Sequence, residues 1–189
     1  IRLIIQWCLL IFLGSVGLVS AHPHVFVDSQ FQLQINQARL QAFEASWVLD
    51  PFSSTGLLME YDLNADGQLA GVEKANITAA FDQFKEFGFY VHLQSDQAPV
   101  TSAQIDIVDV LMQEQQLHVK LGVTLAEPIN LQVSTLSLGF GDESLYVALM
   151  PLPEGLLDLS GSLAETCTPL VREAEEIFID SWVDLSCHP

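Results

Sequence analysis

The chain has 189 residues, with 24 acidic against six basic side chains and a formal net charge of −18 at pH 7. Acidity on this scale repels phosphate backbones and anionic lipid surfaces, which argues against nucleic acid as a partner and against direct membrane binding once any leader is removed. Half of the residues are hydrophobic, enough for one domain with a true core.

Residues 1–21 hold Arg2, an apolar run from Leu3 to Val19 and the small-residue ending Val19-Ser20-Ala21, the pattern of a secretory signal cleaved after Ala21. An uncleaved anchor fits this alanine-type boundary poorly. Residues 22–189 are then expected to form a single β-rich domain. Cleavage leaves His22-Pro23-His24 at a free amino terminus, where the terminal amine, the His22 ring and His24 can form a nitrogen brace, optionally joined by His92 or His118. Pro23 has no amide hydrogen to give up, so the copper and nickel site that needs a deprotonated second amide cannot form. Zn²⁺, Ni²⁺, Co²⁺ and Cu²⁺ remain candidate ions. The plainer alternative is a loose chain end followed by a solvent-facing strand residue.

From His24 the chain alternates, with Val25, Val27, Phe31, Leu33 and Ile35 on one side and Asp28, Gln30, Gln32 and Gln34 on the other, as in a half-buried strand. A turn near Asn36-Gln37 leads to a second strand carrying Phe43, Trp47 and Leu49. Asp50-Pro51 then reads as an N-cap with proline at the first helical position, opening a short helix through Phe52, Leu57, Leu58 and Tyr61. A second helix is expected over 72–87, with Ile77, Ala80, Phe81, Phe84 and Phe87 at helical spacing and Gly88 as its stop.

Between these helices, residues 62–73 fit the twelve-residue EF-hand calcium loop. Calcium is a hard cation that takes six to eight oxygens. Asp62, Asn64 and Asp66 offer side-chain oxygens at alternate positions, Gln68 offers its backbone carbonyl, and Glu73 closes the ring with two oxygens. Gly67 stands where the chain turns most sharply, and Leu69 is an apolar foot. An ordinary acidic turn is the competing explanation, but it has no need of glutamate at the twelfth position. There is one such loop and no second, so structural calcium is favoured over sensing.

Further strands are expected at Phe89–Leu93, Ile105–Val110, Leu117–Val123, near Leu131–Phe140 and at Leu145–Leu149. The predicted architecture is α+β: mainly an antiparallel sandwich or open barrel, with an EF-hand-like helical hairpin inserted at about 51–87. A tail at about 165–189 is read as a short helix from Pro169 to Trp182. The two cysteines remaining after the leader, Cys167 and Cys187, lack metal-type spacing and are expected to form a disulfide.

Ala21-His22-Pro23-His24-Val25-Phe26-Val27-Asp28, then Trp47-Val48-Leu49-Asp50-Pro51-Phe52-Ser53, then the calcium-type loop together resemble a bacterial family of unknown function. Its members are labelled as the periplasmic component of an uncharacterised ABC-type transport system, and their genes often neighbour nickel/cobalt permeases. The similarity is firmest over residues 21–92, and Gly141 to Leu149 corresponds to a late tyrosine-containing strand of that family. The resemblance implies a periplasmic accessory protein whose partner is an inner-membrane metal transporter. A calcium-stabilised interaction module without a transition-metal role is the alternative. Enzymatic activity is not expected: the chain lacks nucleophile, zinc-hydrolase and phosphate-loop motifs, which leaves copper oxidation at the brace as the enzymatic option.

Overall fold

The computed structural model describes residues 25–100 and 103–188. The leader, His22 and His24 lie outside the described residues. Among the described residues the fold has two β-sheets and two α-helices. In chain order these are β1 (Val25–Gln34), β2 (Arg39–Leu49), α1 (Pro51–Tyr61), α2 (Val72–Asp82), β3 (Val91–Ser95), β4 (Ala98–Pro99), β5 (Ala103–Gln113), β6 (Gln116–Asn130), β7 (Leu136–Gly141), β8 (Val147–Pro151), β9 (Leu157–Ser160), β10 (Cys167–Glu173) and β11 (Ile179–Cys187).

The first sheet has the order β5-β6-β2-β1-β8, with β9 also paired to β1; the second has the order β10-β11-β7-β3-β4. Neither closes into a barrel. The alternation expected of β1 is realised: Val27, Phe31, Leu33 and Ile35 are buried, and Ser29 joins them by donating its hydroxyl to Met150 O at 3.0 Å. Phe31 stacks on Phe140 of β7 with ring centroids 4.1 Å apart and planes 11° from parallel, which is the contact that faces one sheet onto the other.

Two expectations are corrected, one for the second helix and one for the tail. The strand pairing is mainly antiparallel, as expected; within the first sheet, β8 and β9 run parallel to β1. The chain enters β8 from β7 of the other sheet, a crossover rather than a hairpin, and only a crossover can deliver a parallel neighbour. The second helix stops at Asp82, and residues 83–90 form tighter 3₁₀ turns ending in three consecutive positive φ values, 58° at Gly88, 50° at Phe89 and 57° at Tyr90. Glycine adopts that conformation freely, while Phe89 and Tyr90 are held in it by burial at 0% and 8% exposure.

The tail is the second correction, because Pro169 to Trp182 is not helical. It contributes to the antiparallel pair β10 and β11, with Cys167 directly opposite Cys187 and disulfide-bonded to it as expected. Ile179, Val183, Leu185 and Cys187 are buried on strand spacing, whereas Leu170 and Ile177 are exposed. Pro169 is tolerated because β10 is an edge strand with no neighbour on its outer side.

Removing the ring at the sheet-to-sheet contact, Phe31→Ala, is expected to cost about 3–5 kcal/mol in urea unfolding. Phe52→Ala, at a side chain 87% exposed at the start of α1, is expected to stay within about 0.5 kcal/mol of the parent.

Candidate functional site

The helical hairpin begins at Asp50, as the sequence predicts. Its Oδ1 accepts from the Phe52 and Ser53 amides at 2.9 Å each, and its Oδ2 accepts from the Ser53 hydroxyl at 2.6 Å and from the Phe26 amide at 3.2 Å. One carboxylate thus caps α1 and ties it to the start of β1. Leu57, Leu58 and Tyr61 pack partly against the core, while Ile77 and Phe81 of α2 are buried in it. Lys74 pairs with Asp109, and Lys85 with Asp106 at 2.6 Å, both across to β5.

Within the loop, the acidic side chains turn inward on the backbone. Gly67 donates its amide to Asp62 Oδ2 at 2.8 Å, Asp66 donates to Asn64 Oδ1 at 2.8 Å, and Gln68 donates to Asp66 Oδ1 at 2.8 Å. The bonds to Asn64 and Asp66 are Asx turns, in which a short side chain mimics the next backbone acceptor, while the bond to Asp62 spans the loop. Gly67 has φ +78°, the conformation for which glycine was expected, and Leu69 is buried as the apolar foot. Glu73 is 4% exposed and reaches across the loop: Oε1 accepts from the Leu63 and Asn64 amides at 3.0 and 3.2 Å, and Oε2 from the Ala70 amide at 3.3 Å.

The donor chemistry of Asp62, Asn64, Asp66 and Glu73 fits a hard divalent cation, all oxygens and three formal negative charges on one turn. Their arrangement is an amide-bonded one. Among the described residues, no group of three or more His, Cys, Asp or Glu side chains surrounds a point where a metal ion could sit.

His92 and His118 are not gathered together. His22 and His24 fall outside the described residues. His92 is on β3 of the second sheet, with Nε2 2.9 Å from Gly141 O, and His118 is on β6 of the first sheet. Burial lowers the His118 pKa, outweighing the Gln113 carbonyl and the Glu114 charge, which favour its cation.

Two features escape sequence reasoning. Asp142, 5% exposed, accepts from the Ser144 amide and hydroxyl, the Tyr146 amide and the Val147 amide, and so shapes the crossover into β8. The second is an apolar cleft of about 520 Å³, open on one side, between the hairpin and the first sheet. No local sequence pattern could show it, because its walls come from β1, β2, β8, α1 and α2.

Residues 7–178 match the family described as "Protein of unknown function (DUF1007)". The chain belongs to this DUF1007 family. An uncharacterized protein of Haemophilus influenzae is 29% identical over 150 residues, covering 79% of this chain and 71% of the relative. The match spans β1 to β10, the hairpin and the crossover at Asp142, and stops just before β11. Its bounds take in the amino-terminal histidines as well.

Burial raises the pKa of Asp50 and Asp142, but the hydrogen bonds each carboxylate accepts outweigh it, from Ser53, Phe26 and Phe52 in one case and from Ser144, Val147 and Tyr146 in the other; both lie below the ordinary 3.8. A depressed carboxyl pKa contributes stability that is complete above 3.8 and disappears as pH falls through the lower folded-state value. Urea midpoints measured from about pH 7 down to about pH 2 should therefore show Asp142→Asn well below the parent at neutrality, with the gap narrowing in acid. A gap independent of pH contradicts this assignment.

Proposed function

We propose that this DUF1007 protein is an exported accessory protein whose helical hairpin is stapled by calcium at residues 62–73. The observation that supports this reading is the disposition of Glu73, whose buried carboxylate lies over the beginning of the loop and closes it against Leu63 and Asn64. Asp62, Asn64, Asp66 and Glu73 would hold the ion with the Gln68 carbonyl, and the ion would supply charge neutralisation in an acidic turn. Hydrogen bonds from loop amides already turn Asp62, Asn64 and Asp66 into the loop. The cost of ordering them is then met largely by the fold. Periplasmic residence is consistent with the leader pattern and with the Cys167–Cys187 disulfide.

A transport role is the second reading. It rests on His22 and His24, which would hold Ni²⁺, Co²⁺, Zn²⁺ or Cu²⁺ at the processed amino terminus, and on the resemblance that implies an inner-membrane metal transporter as partner. Without that role, the protein is a calcium-stabilised interaction module.

Calcium at a hundredfold excess over its Kd should stabilise the protein by about 2.7 kcal/mol. The resulting rise in Tm is expected to vanish in Asp62→Ala and in Glu73→Ala, and to persist when His22 and His24 are both replaced by alanine. Titration with Ni²⁺, Zn²⁺ and Cu²⁺ separates the two readings. Binding lost on replacing the two histidines supports transport, and binding unaffected by their loss removes the proposed brace.

A further inference from the structure

The helix α1 (Pro51–Tyr61) is apolar on two sides. Leu57, Leu58 and Tyr61 pack against the core, while Phe52 and Met59 on the outer side are 87% and 82% exposed. These two side chains are seven residues apart, about two helical turns, and so share one face. Leu63, 69% exposed, follows at the helix's C-terminal end. A single exposed apolar side chain is ordinary. A row of them, on an element whose opposite face is already buried, marks a surface that a partner covers.

Gly56 lies between Phe52 and Met59 on this face. Glycine weakens a helix interior relative to alanine, and nothing inside the chain asks for it here. Its backbone is helical, and a Cβ placed on it would meet no atom within 4 Å. Between two large side chains the missing Cβ leaves a notch, where a second helix can cross closely.

Charge names the kind of helix. From residue 50 to residue 73 the chain carries Asp50, Glu60, Asp62, Asp66 and Glu73, and no lysine or arginine. Glu60 stands in the last turn of α1, where the helix dipole already presents negative charge and no basic side chain offsets it. Among the described residues Glu60 has no ion pair, and Lys74 and Lys85 are engaged by Asp109 and Asp106 of β5. The missing cation has to come from the partner.

We propose that the outer face of α1 docks an amphipathic helix of a partner protein, with apolar side chains laid on Phe52, Met59 and Leu63, its backbone crossing at Gly56, and a lysine or arginine set against Glu60. A second copy of this chain is disfavoured because both copies carry the same strong negative charge, and an anionic lipid surface is repelled for the same reason. The surface is formed by α1 and needs no ion in the adjoining loop, so it stands or falls apart from the calcium reading.

The test uses the exported protein labelled with ¹⁵N, in metal-free buffer at physiological ionic strength. The probe is a leucine–lysine peptide patterned as an amphipathic helix, and the control is a scrambled peptide of the same composition, with the same charge but no apolar face. The patterned peptide is expected to shift the Phe52, Gly56, Met59 and Leu63 amides saturably and to bind at least about tenfold more tightly than the scrambled one, the ratio that apolar anchors commonly supply. Replacing Phe52 and Met59 together by serine should remove that preference, and both side chains are exposed enough for the fold to tolerate the change. Gly56→Gln should raise the Tm of the free protein, because glutamine is the better helix former, and weaken the patterned peptide. Equal binding of the two peptides to the parent, or shifts confined to other residues, overturns the docking surface. Dilution-dependent shifts of the same amides without peptide assign the face to a second copy, and shifts on adding neutral phosphatidylcholine vesicles assign it to a lipid surface; either result overturns the proposed partner.

Discussion

Ser54 is fully buried where the helical hairpin meets the first sheet, its hydroxyl donating to Leu49 O at 3.1 Å and accepting from the Leu117 amide at 2.9 Å. The Gln116 side chain donates to the same Leu49 carbonyl at 2.8 Å. The end of β2, the first turn of α1 and the start of β6 are thus joined at one polar point inside an apolar seam. A buried hydroxyl that both donates and accepts is satisfied only in one docking geometry, so it specifies position as well as contributing energy. With Asp50 fixing the entry of α1 and Ile77 and Phe81 burying α2, the hairpin has a single seat on the sheet.

The calcium-type loop and the outer face of α1 both inherit that seat. The loop at 62–73 is held at its two ends by helices that cannot drift apart, which keeps Glu73 across from Leu63 and Asn64. The cleft exists because the same helices span the sheet without filling the space above Trp47 and Leu49. The ion pairs of Lys74 and Lys85 with β5 are solvent-exposed, worth little individually, and serve to orient the hairpin's flank. An acidic chain with few cations places one of its lysines, Lys74, directly after the loop that carries the densest negative charge of the hairpin.

Much of this was legible from residues that act locally. Asp50-Pro51 announced a helix start because capping is a property of neighbouring residues, and Gly67 announced a sharp turn for the same reason. The period-two burial of β1 followed from its alternation, and the cysteine pair from compartment and number. What escaped depends on distant partners. Ile177 and Leu170 imitate helical spacing, yet β11 pairs with β7, and the sheet decides the matter. Parallel pairing of β8 with β1 cannot be read from alternation, which is the same in either direction. Ser54 and Asp142 carry no sequence signal of their roles, since each role is defined by what lies across the fold.

The central claim is that Glu73 and the loop's other oxygens are poised for a cation, and the amides that Glu73 now holds report on it most directly. In a ¹⁵N–¹H titration with millimolar calcium, the resonances of Leu63, Asn64 and Ala70 should shift saturably, together with that of Gly67, while those of β1 remain unmoved. If all four loop amides keep their positions while calcium is raised, the hairpin is an acidic turn closed by its own backbone, and the calcium account is wrong.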